Sequence, residues 1–420
     1  MEFIYYLVND CISEIFTKYD DTYLLFELSA SSNQTSAYFN LSKYITLRFD
    51  QLSILSKFNS IQSLNVYADR NLSHQFVECK LFSHLINLTS VKFRNLLAIK
   101  NIETLTSVIK FEFGNHSYCY SSFPISELKH LTYLDMNNNN STAKLNQNNS
   151  NLRYFKGVVN DKLDNFEINN FQQLQYLNIK FNSSGMLTFD SEKLNDLIHI
   201  KLQSVNYYES ERKDWYFNFN ENIRVLKLVN VSIEPMNFNN FLLLEKLTLS
   251  PLKNTGSIEI INFIYLTKLH VGNYKSVSMC NLTNLLHLKI SNMNQMTIME
   301  NIFHITYLAI KNILIIEGLS YLTDLKRLNT KYDRINQCLH VLPNPVNMIE
   351  CKIAQYPIFT FHDMINLTNL NLKSDYFDSL DLTNMIYLRK LTVVNRLTKL
   401  KINKIVDVVR RYNDKRTFKF

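Results

Sequence analysis

A short pattern of apolar and polar residues recurs along almost the whole chain. It reads apolar, two others, apolar, one other, apolar, as in LTNLLHLKI ending at Ile290 and MINLTNLNL ending at Leu372. The middle apolar residue, taken as an anchor, falls at Leu47, Leu64, Val91, Phe111, Leu134, Phe155, Leu177, Ile200, Leu226, Leu247, Leu269, Leu288, Leu308, Leu328, Ile349, Leu370 and Leu391. Neighbouring anchors are 17 to 27 residues apart, and most are separated by about 21. Each repeat therefore predicts one short strand whose anchor, and the second residue after it, point into a core.

A period near 21 with this pattern is the signature of a leucine-rich repeat. It predicts an α/β solenoid with parallel strands on its concave face, a helical N-terminal segment and a C-terminal cap. The predicted boundaries are 1–40 for the helical segment, 41–395 for the repeats and 396–420 for the cap. Because repeats stack as one elongated unit, we expect a single continuous parallel sheet with every anchor pointing inward.

Composition argues against an enzyme. The chain has 6 Gly and 6 Pro, and no glycine-rich phosphate-binding motif is present. The 10 His form neither an H-E-x-x-H motif nor a tight Cys/His ligand spacing, so we expect no catalytic residues, no metal and no cofactor. The 6 Cys lack C-x-x-C spacing, which favours thiols in a reducing compartment, and no targeting or membrane segment is visible. The expected location is therefore the cytosol or the nucleus.

The first 40 residues do not follow the repeat. Leu7, Cys11, Ile15 and Tyr19 step by four, which predicts an amphipathic helix, and a second helix is predicted around Leu24. The segment LVNDCISEIFTKYDDTYLLFELS resembles the F-box, the helical motif that attaches substrate receptors to cullin-RING ubiquitin ligases. The matching places hold Leu7, Asp10, Ile12, Ile15, Phe16, Tyr19, Leu24 and Leu25. Val8 stands where the family has proline.

The resemblance implies that an apolar helix face binds the ligase adaptor protein. The residues implied in adaptor binding are Leu7, Ile12, Ile15, Phe16, Leu24 and Leu25. The alternative is a helical cap that shields the first repeat and has no connection with ubiquitin.

The C-terminal segment carries most of the chain's net charge of +8. Residues 396–420 contain nine basic and two acidic side chains. Ile405, Val408, Val409 and Tyr412 have helical spacing, which predicts a helix covering the last repeat. The alternative is a basic tail that contacts nucleic acid or an acidic partner.

Two columns of side chains stand out when residues are placed by repeat position. Immediately before the anchor, successive repeats carry Tyr133, Tyr154, Tyr176 and His199, with Lys156 and Lys201 among the residues just after the anchor. Their rings are expected to stack on the concave face, either to anchor a partner or to stabilise the sheet. Three residues after the anchor lies a column of lysines: Lys311, Lys331, Lys352 and Lys373. Such a column suits an acidic ligand, although a lysine-rich composition also produces one by chance.

These features predict the substrate-recognition subunit of a cullin-RING ubiquitin ligase, with the F-box on the adaptor and the repeats on a target protein. The alternative is a stand-alone repeat scaffold that binds some other protein. Neither nucleic acid nor a membrane is expected as a partner, and the protein is expected to be monomeric outside its complex.

Overall fold

The computed structural model describes twenty-one segments of the chain. They are residues 44–48, 52–53, 55–56, 60–67, 76–94, 98–114, 125–136, 149–160, 171–182, 188–190, 194–204, 216–231, 241–252, 255–302, 304–318, 321–331, 348–354, 365–373, 379–393, 399–402 and 407–410. The chain divides into two compact units, one formed by Met1–Leu197 with Ser210–Asn218 and the other by Ile198–Glu209 with Phe219–Phe420. The segment predicted to resemble an F-box lies outside the described residues.

The first unit contains a parallel sheet with one strand from each repeat. Its strands are β1 (Tyr44–Arg48), β2 (Ser63–Tyr67), β4 (Ser90–Arg94), β6 (Lys110–Gly114), β7 (Tyr133–Asp135), β8 (Tyr154–Asn160) and β9 (Tyr176–Asn182). Each pairs in parallel with the next. Shorter parallel pairs join β3 (Phe76–Glu78) to β5 (Ala98–Lys100), and β10 (Thr188–Asp190) to β12 (Tyr216–Asn218). Short 3-10 helices occur at Cys79–Phe82, Ile102–Thr104 and Ile125–Glu127.

The second unit repeats this arrangement. The strands of its main sheet are β11 (His199–Ser204), β13 (Val225–Val229), β14 (Lys246–Ser250), β16 (Lys268–Gly272), β18 (His287–Ile298), β19 (Tyr307–Glu317), β20 (Arg327–Lys331), β21 (Glu350–Ala354), β22 (Asn369–Lys373), β24 (Lys390–Val393) and β26 (Asp407–Arg410). All neighbours in this order are parallel. Behind the main sheet, β15 (Thr255–Ile261) pairs with β17 (Tyr274–Cys280), which pairs with the later part of β18. β23 (Ser379–Leu382) pairs with β25 (Lys399–Ile402).

The core of each unit is built from the anchors and the residues two places later. In β18, for example, Leu288 and Ile290 are both fully buried. Side chains between them point away from the core, because successive residues of a strand face opposite sides. We call the outward side of each main sheet its front face, and the residues on it are the ones that a partner can reach.

Asparagine forms the corners at which the chain leaves the main sheet. Asn230, Asn273, Asn292 and Asn312, each four residues after an anchor, have positive φ values between 53° and 60°. Asparagine tolerates this left-handed conformation better than other residues with a Cβ atom. The apolar residues that follow these corners, such as Met293 and Ile313, are buried. A single corner residue thus turns the chain and returns the next side chain to the core.

The fold class expected from the sequence needs one correction. Within the segments given above, the repeats have strands and short 3-10 helices but no α-helix, so this part of the chain is all-β rather than α/β. In the repeats around β15, β17, β18 and β19 the return path also forms parallel strands. Buried and half-buried side chains alternate there, as in VSMC of β17, where Val277 and Met279 are buried, and this alternation favours a strand over a helix.

Two anchors are placed wrongly by the sequence pattern. Strand pairing aligns Leu64 with Ile45, not Leu47, and Leu328 with Cys351, not Ile349. Ile349 is 43% exposed whereas Cys351 is fully buried. A shift of two residues leaves the in-out alternation unchanged, so only the hydrogen-bond register separates the two possibilities.

The predicted C-terminal helix is also wrong for the part of it that the structure describes. Residues Asp407–Arg410 form β26, which pairs with β24 and aligns Val408 with Leu391. The apolar residues that suggested helical spacing also fit a strand, because the segment is short and β-branched. The basic segment therefore contributes one more strand to the main sheet of the second unit.

Candidate functional site

Three tyrosines form a stacked column on the front face of the first unit. The rings of Tyr133 and Tyr154 have centroids 4.1 Å apart and an interplanar angle of 8°. Those of Tyr154 and Tyr176 are 4.2 Å apart at 7°. The three residues are aligned on β7, β8 and β9, so the strand spacing itself brings the rings together. Because the rings are only half-buried, the column offers an aromatic surface to a partner.

Two hydroxyls of the tyrosine column, those of Tyr133 and Tyr154, have raised pKa values. Burial raises the pKa of Tyr133, and it raises that of Tyr154 further, with help from the hydrogen bond between the two phenols. Both hydroxyls therefore stay protonated at neutral pH. A hydroxyl in this state can donate one hydrogen bond and accept others, which suits polar groups at the edge of an apolar contact.

The cations beside the column pair with a carboxylate. The Nζ atom of Lys110 lies 4.7 Å from the ring centroid of Tyr133 and 2.8 Å from Oε1 of Glu112. Lys92 pairs with the same carboxylate. Burial alone would raise the pKa of Glu112, but the hydrogen bonds from Lys110 and Lys92 bring it below its ordinary value. Two lysines thus share one carboxylate, so each of these charges has an opposite partner and the group has a net charge of +1.

A second ion pair lies in the same row as Glu112, on the next two strands. Nζ of Lys156 donates to Oδ2 of the buried Asp135 at 3.1 Å. Lys156 is aligned with Asn178 on the next strand. The Oδ1 atom of Asn178 is buried and has no hydrogen-bond partner in the described part of the chain. This part of the front face therefore combines stacked rings, paired charges and the unsatisfied amide oxygen of Asn178.

His199 and Lys201, the remaining members of the predicted aromatic cluster, belong to the second unit. His199 is aligned with Val225 and Lys201 with Lys227. Burial, together with Lys246, Lys201 and Lys227, lowers the pKa of His199 to about 4. The imidazole is therefore neutral at pH 7, and its surroundings are strongly positive.

The predicted lysine column exists only in part. Lys311 is aligned with Lys331, but the next strand places Ala354 there, followed by Lys373. Because Cys351 is the true anchor, Lys352 instead falls in the row just after the anchor, beside Asn329. Its Nζ atom is 3.0 Å from Oε1 of Glu350. The four lysines therefore do not form an unbroken column.

The other predicted sites rest on different parts of the chain. The implied adaptor-binding residues lie outside the described segments, namely Leu7, Ile12, Ile15, Phe16, Leu24 and Leu25.

Within the described segments, no group of His, Cys, Asp or Glu side chains is placed to hold a metal ion. Burial raises the pKa of the Cys79 and Cys351 thiols, which keeps both protonated. No helix in the described part of the chain is long and apolar enough to cross a membrane.

Sequence reasoning missed several lysines of the second unit. Lys227, Lys246, Lys268 and Lys289 lie on the front face, but they are divided between the rows before and after the anchor. Neither row by itself contains enough lysines to stand out in the sequence. The cluster is visible only when the row before the anchors and the row after them are compared together.

Comparison with known proteins shows the fold alone. No protein-family model and no curated protein matches the sequence. A leucine-rich-repeat protein of Leptospira interrogans has a similar structure, with a TM-score of 0.52 and 15% identity, covering 87% of this chain and 93% of that protein. The functional domain of the Listeria monocytogenes protein InlJ, which includes a cysteine ladder, has a TM-score of 0.42 and 14% identity, covering 87% of this chain and 70% of that one. The register of the strands and the first of these similarities together identify the chain as a protein with the leucine-rich-repeat fold.

Proposed function

We propose that this protein is a binding scaffold that holds a target protein on the front face of its repeats. The observation that carries the proposal is the stacked column of Tyr133, Tyr154 and Tyr176. Tyrosine provides a large contact area at low cost in conformational entropy, and exposed aromatic residues are enriched among those that dominate protein interfaces. Here the rings are held in place by the strands before a partner arrives, which lowers the entropy lost on binding.

The neighbouring charges support the same reading. A partner that covers Tyr133 need not leave an unpaired charge in the interface, because Glu112 already lies between Lys92 and Lys110. An uncompensated buried charge would weaken the complex by several kcal/mol. A preformed aromatic surface whose neighbouring charges are already paired is therefore well suited to binding.

We further propose that the N-terminal segment attaches this scaffold to a cullin-RING ubiquitin ligase as its substrate receptor. The support is the sequence resemblance to the F-box around Ile15 and Phe16. In this role the protein positions a target and performs no bond chemistry of its own. The alternative is a stand-alone scaffold with a helical cap, in which no adaptor binds.

Affinity purification of the full chain, with identification of the captured proteins, tests both parts. Recovery of a cullin and its adaptor supports the ligase role, and the pair should be lost from an Ile15→Asp/Phe16→Asp variant that still binds the target. Capture of a target without adaptor or cullin would contradict the ligase role and favour the stand-alone scaffold.

The tyrosine column is tested by Tyr176→Ala, which removes the last ring of the stack. We expect target capture to weaken by about 1–2 kcal/mol or more. Tyr321→Ala is the matched control, because Tyr321 is exposed and outside the column. Circular dichroism must show that both variants are folded. Equal capture by the two variants would contradict a role for the column in binding.

A further inference from the structure

The front face of the second unit carries positive charge without any negative charge over seven adjacent strands. These are β11, β13, β14, β16, β18, β19 and β20. At the three front positions of each strand (just before, just after and three after the anchor) the charged residues are Lys201, Lys227, Lys246, Lys268, Lys289, Lys311, Arg327 and Lys331. No Asp or Glu occupies any of these positions. We call these eight residues the basic face.

Several of these cations are neighbours in register. Lys201 is aligned with Lys227, and Lys246 with Lys268. Like charges directly opposite each other on paired strands destabilise a sheet. In the described segments, no carboxylate forms an ion pair with Lys227, Lys246, Lys268 or Lys289. The first acidic residue on this face beyond them is Glu350 on β21, which pairs with Lys352 and Arg327. The repulsion among Lys227, Lys246, Lys268 and Lys289 is therefore not relieved by a carboxylate of the described segments.

Two histidines on the same face have pKa values that are lowered by burial and by the cations around them. Burial, then Lys289 and Lys227, lower the pKa of His270 to about 4. Burial, then Lys268 and Arg327, also lower that of His287. At pH 7 the charge of this surface therefore comes from Lys and Arg alone.

We propose that the basic face docks an acidic segment of the target protein, in extended form, across the strands of the second unit. This inference rests on the proposed function as a protein-binding scaffold and adds the chemistry of the partner. Seven strands about 4.8 Å apart give a surface about 29 Å long. An extended chain rises about 3.3 Å per residue, so roughly nine residues match this length.

The composition of the face favours a polypeptide over a nucleic acid. Surfaces that bind single strands place aromatic rings among the cations so that successive bases can stack. Among the front positions of these seven strands, Tyr307 is the one Phe, Tyr or Trp, and its ring lies 5.8 Å from that of His287. The remaining uncharged positions include Val225 and Val229, which are half-buried on either side of Lys227. These two valines suit a peptide in which carboxylates alternate with aliphatic residues.

The test measures fluorescence anisotropy of a labelled peptide of about twelve residues with alternating Glu and Ala, which covers the length of the face. The variant is Lys246→Glu/Lys268→Glu/Lys289→Glu in the full chain. The matched control is Lys80→Glu/Lys129→Glu/Lys275→Glu, which changes net charge equally at exposed lysines away from both front faces. A peptide with Lys in place of Glu, and oligouridylate RNA of the same length, are measured in parallel.

We expect the variant to bind the acidic peptide about ten-fold or more weakly than the wild type, with the control within about two-fold. Wild-type binding should also weaken as salt rises from about 50 to about 200 mM, and this dependence should shrink in the variant. Equal binding by variant and control would overturn the inference, as would no binding by the wild type or tighter binding of RNA than of peptide. If the acidic peptide fails while Tyr176→Ala still reduces capture of a target, the scaffold role stands and only the acidic partner is wrong.

Discussion

Asn292 donates a hydrogen bond from Nδ2 to Oδ1 of Asn273 in the preceding repeat, at 2.9 Å. Asn312 does the same to Asn292, also at 2.9 Å. A second ladder joins Asn301 to Asn281 and Asn281 to Asn262, at 2.7 and 2.8 Å. Each amide supplies both a donor and an acceptor, so identical residues satisfy one another along the stack. The ladders therefore tie neighbouring repeats together at the corners where the chain turns.

The corner ladder predicts that Asn292→Ala lowers the free energy of unfolding by about 3–4 kcal/mol. Alanine in a left-handed conformation costs about 1–2 kcal/mol, and the two lost hydrogen bonds add about 1 kcal/mol each. Asn292→Gly should cost less, because glycine adopts positive φ readily. Urea unfolding followed by circular dichroism measures the differences. Asn294→Ala, at an exposed position two residues away, is the control, and an equal loss there would contradict the role of the corner.

The backbone geometry of Gly318 predicts that adding a side chain at this position destabilises the protein. Its φ is +79°, and a Cβ atom built on it would lie 1.9 Å from the carbonyl oxygen of Ile298. We expect Gly318→Ala to lower the free energy of unfolding by about 2 kcal/mol or more, since both strain and a backbone clash must be relieved.

Gly256→Ala is the control for that experiment. A Cβ atom at Gly256 meets no heavy atom within 4 Å. Its effect should stay within about 0.5 kcal/mol, as at other surface positions. Similar melting temperatures for the two glycine variants would show that the turn at Gly318 is not as tight as its geometry implies.

The tyrosine column predicts a graded effect on stability at its centre. Tyr154 stacks on both Tyr133 and Tyr176, and each aromatic pair contributes about 0.5–1.5 kcal/mol beyond area burial. Tyr154→Ala should therefore lower the free energy of unfolding by about 2 kcal/mol. Tyr154→Phe keeps both stacks and loses only the hydroxyl, so its cost should be about 1 kcal/mol or less. Equal melting temperatures for wild type and Tyr154→Ala would contradict a structural contribution of the column.

His270, one of three histidines with a lowered pKa on the front face of the second unit, predicts a loss of stability in acid. The pKa of folded His270 is about 4, lowered by burial and by Lys289 and Lys227, whereas the ordinary value is 6.5. The unfolded chain therefore binds more protons between these values, and the stability contributed above pH 6.5 is lost progressively as pH falls towards 4. We expect the urea midpoint to fall between pH 7 and pH 5, and to fall less in His270→Gln. The control is His130→Gln, at an exposed residue of the first unit; an acid response equal to that of His270→Gln would contradict this assignment.

The repeat itself could be predicted from the sequence because it depends on local alternation. Leu288 and Ile290 had to face the core, and Lys289 had to face outward, whatever the rest of the chain did. The stack of Tyr133, Tyr154 and Tyr176 followed in the same way, since three equal positions on adjacent parallel strands must come together. The asparagines four residues after several anchors were also visible, but not their left-handed backbone or their ladder.

What only the tertiary structure decided was which residues are neighbours across strands. The sequence could not distinguish Ile349 from Cys351 as the anchor, because both have the same parity and only hydrogen bonding between β20 and β21 sets the register. That one choice moved Lys352 out of the lysine column. The same register brought Lys246 beside Lys268 and both beside the row that contains Lys227 and Lys289. Local pattern thus determined which way each side chain points, whereas strand pairing determined which charges meet, because pairing joins residues about twenty positions apart in the chain.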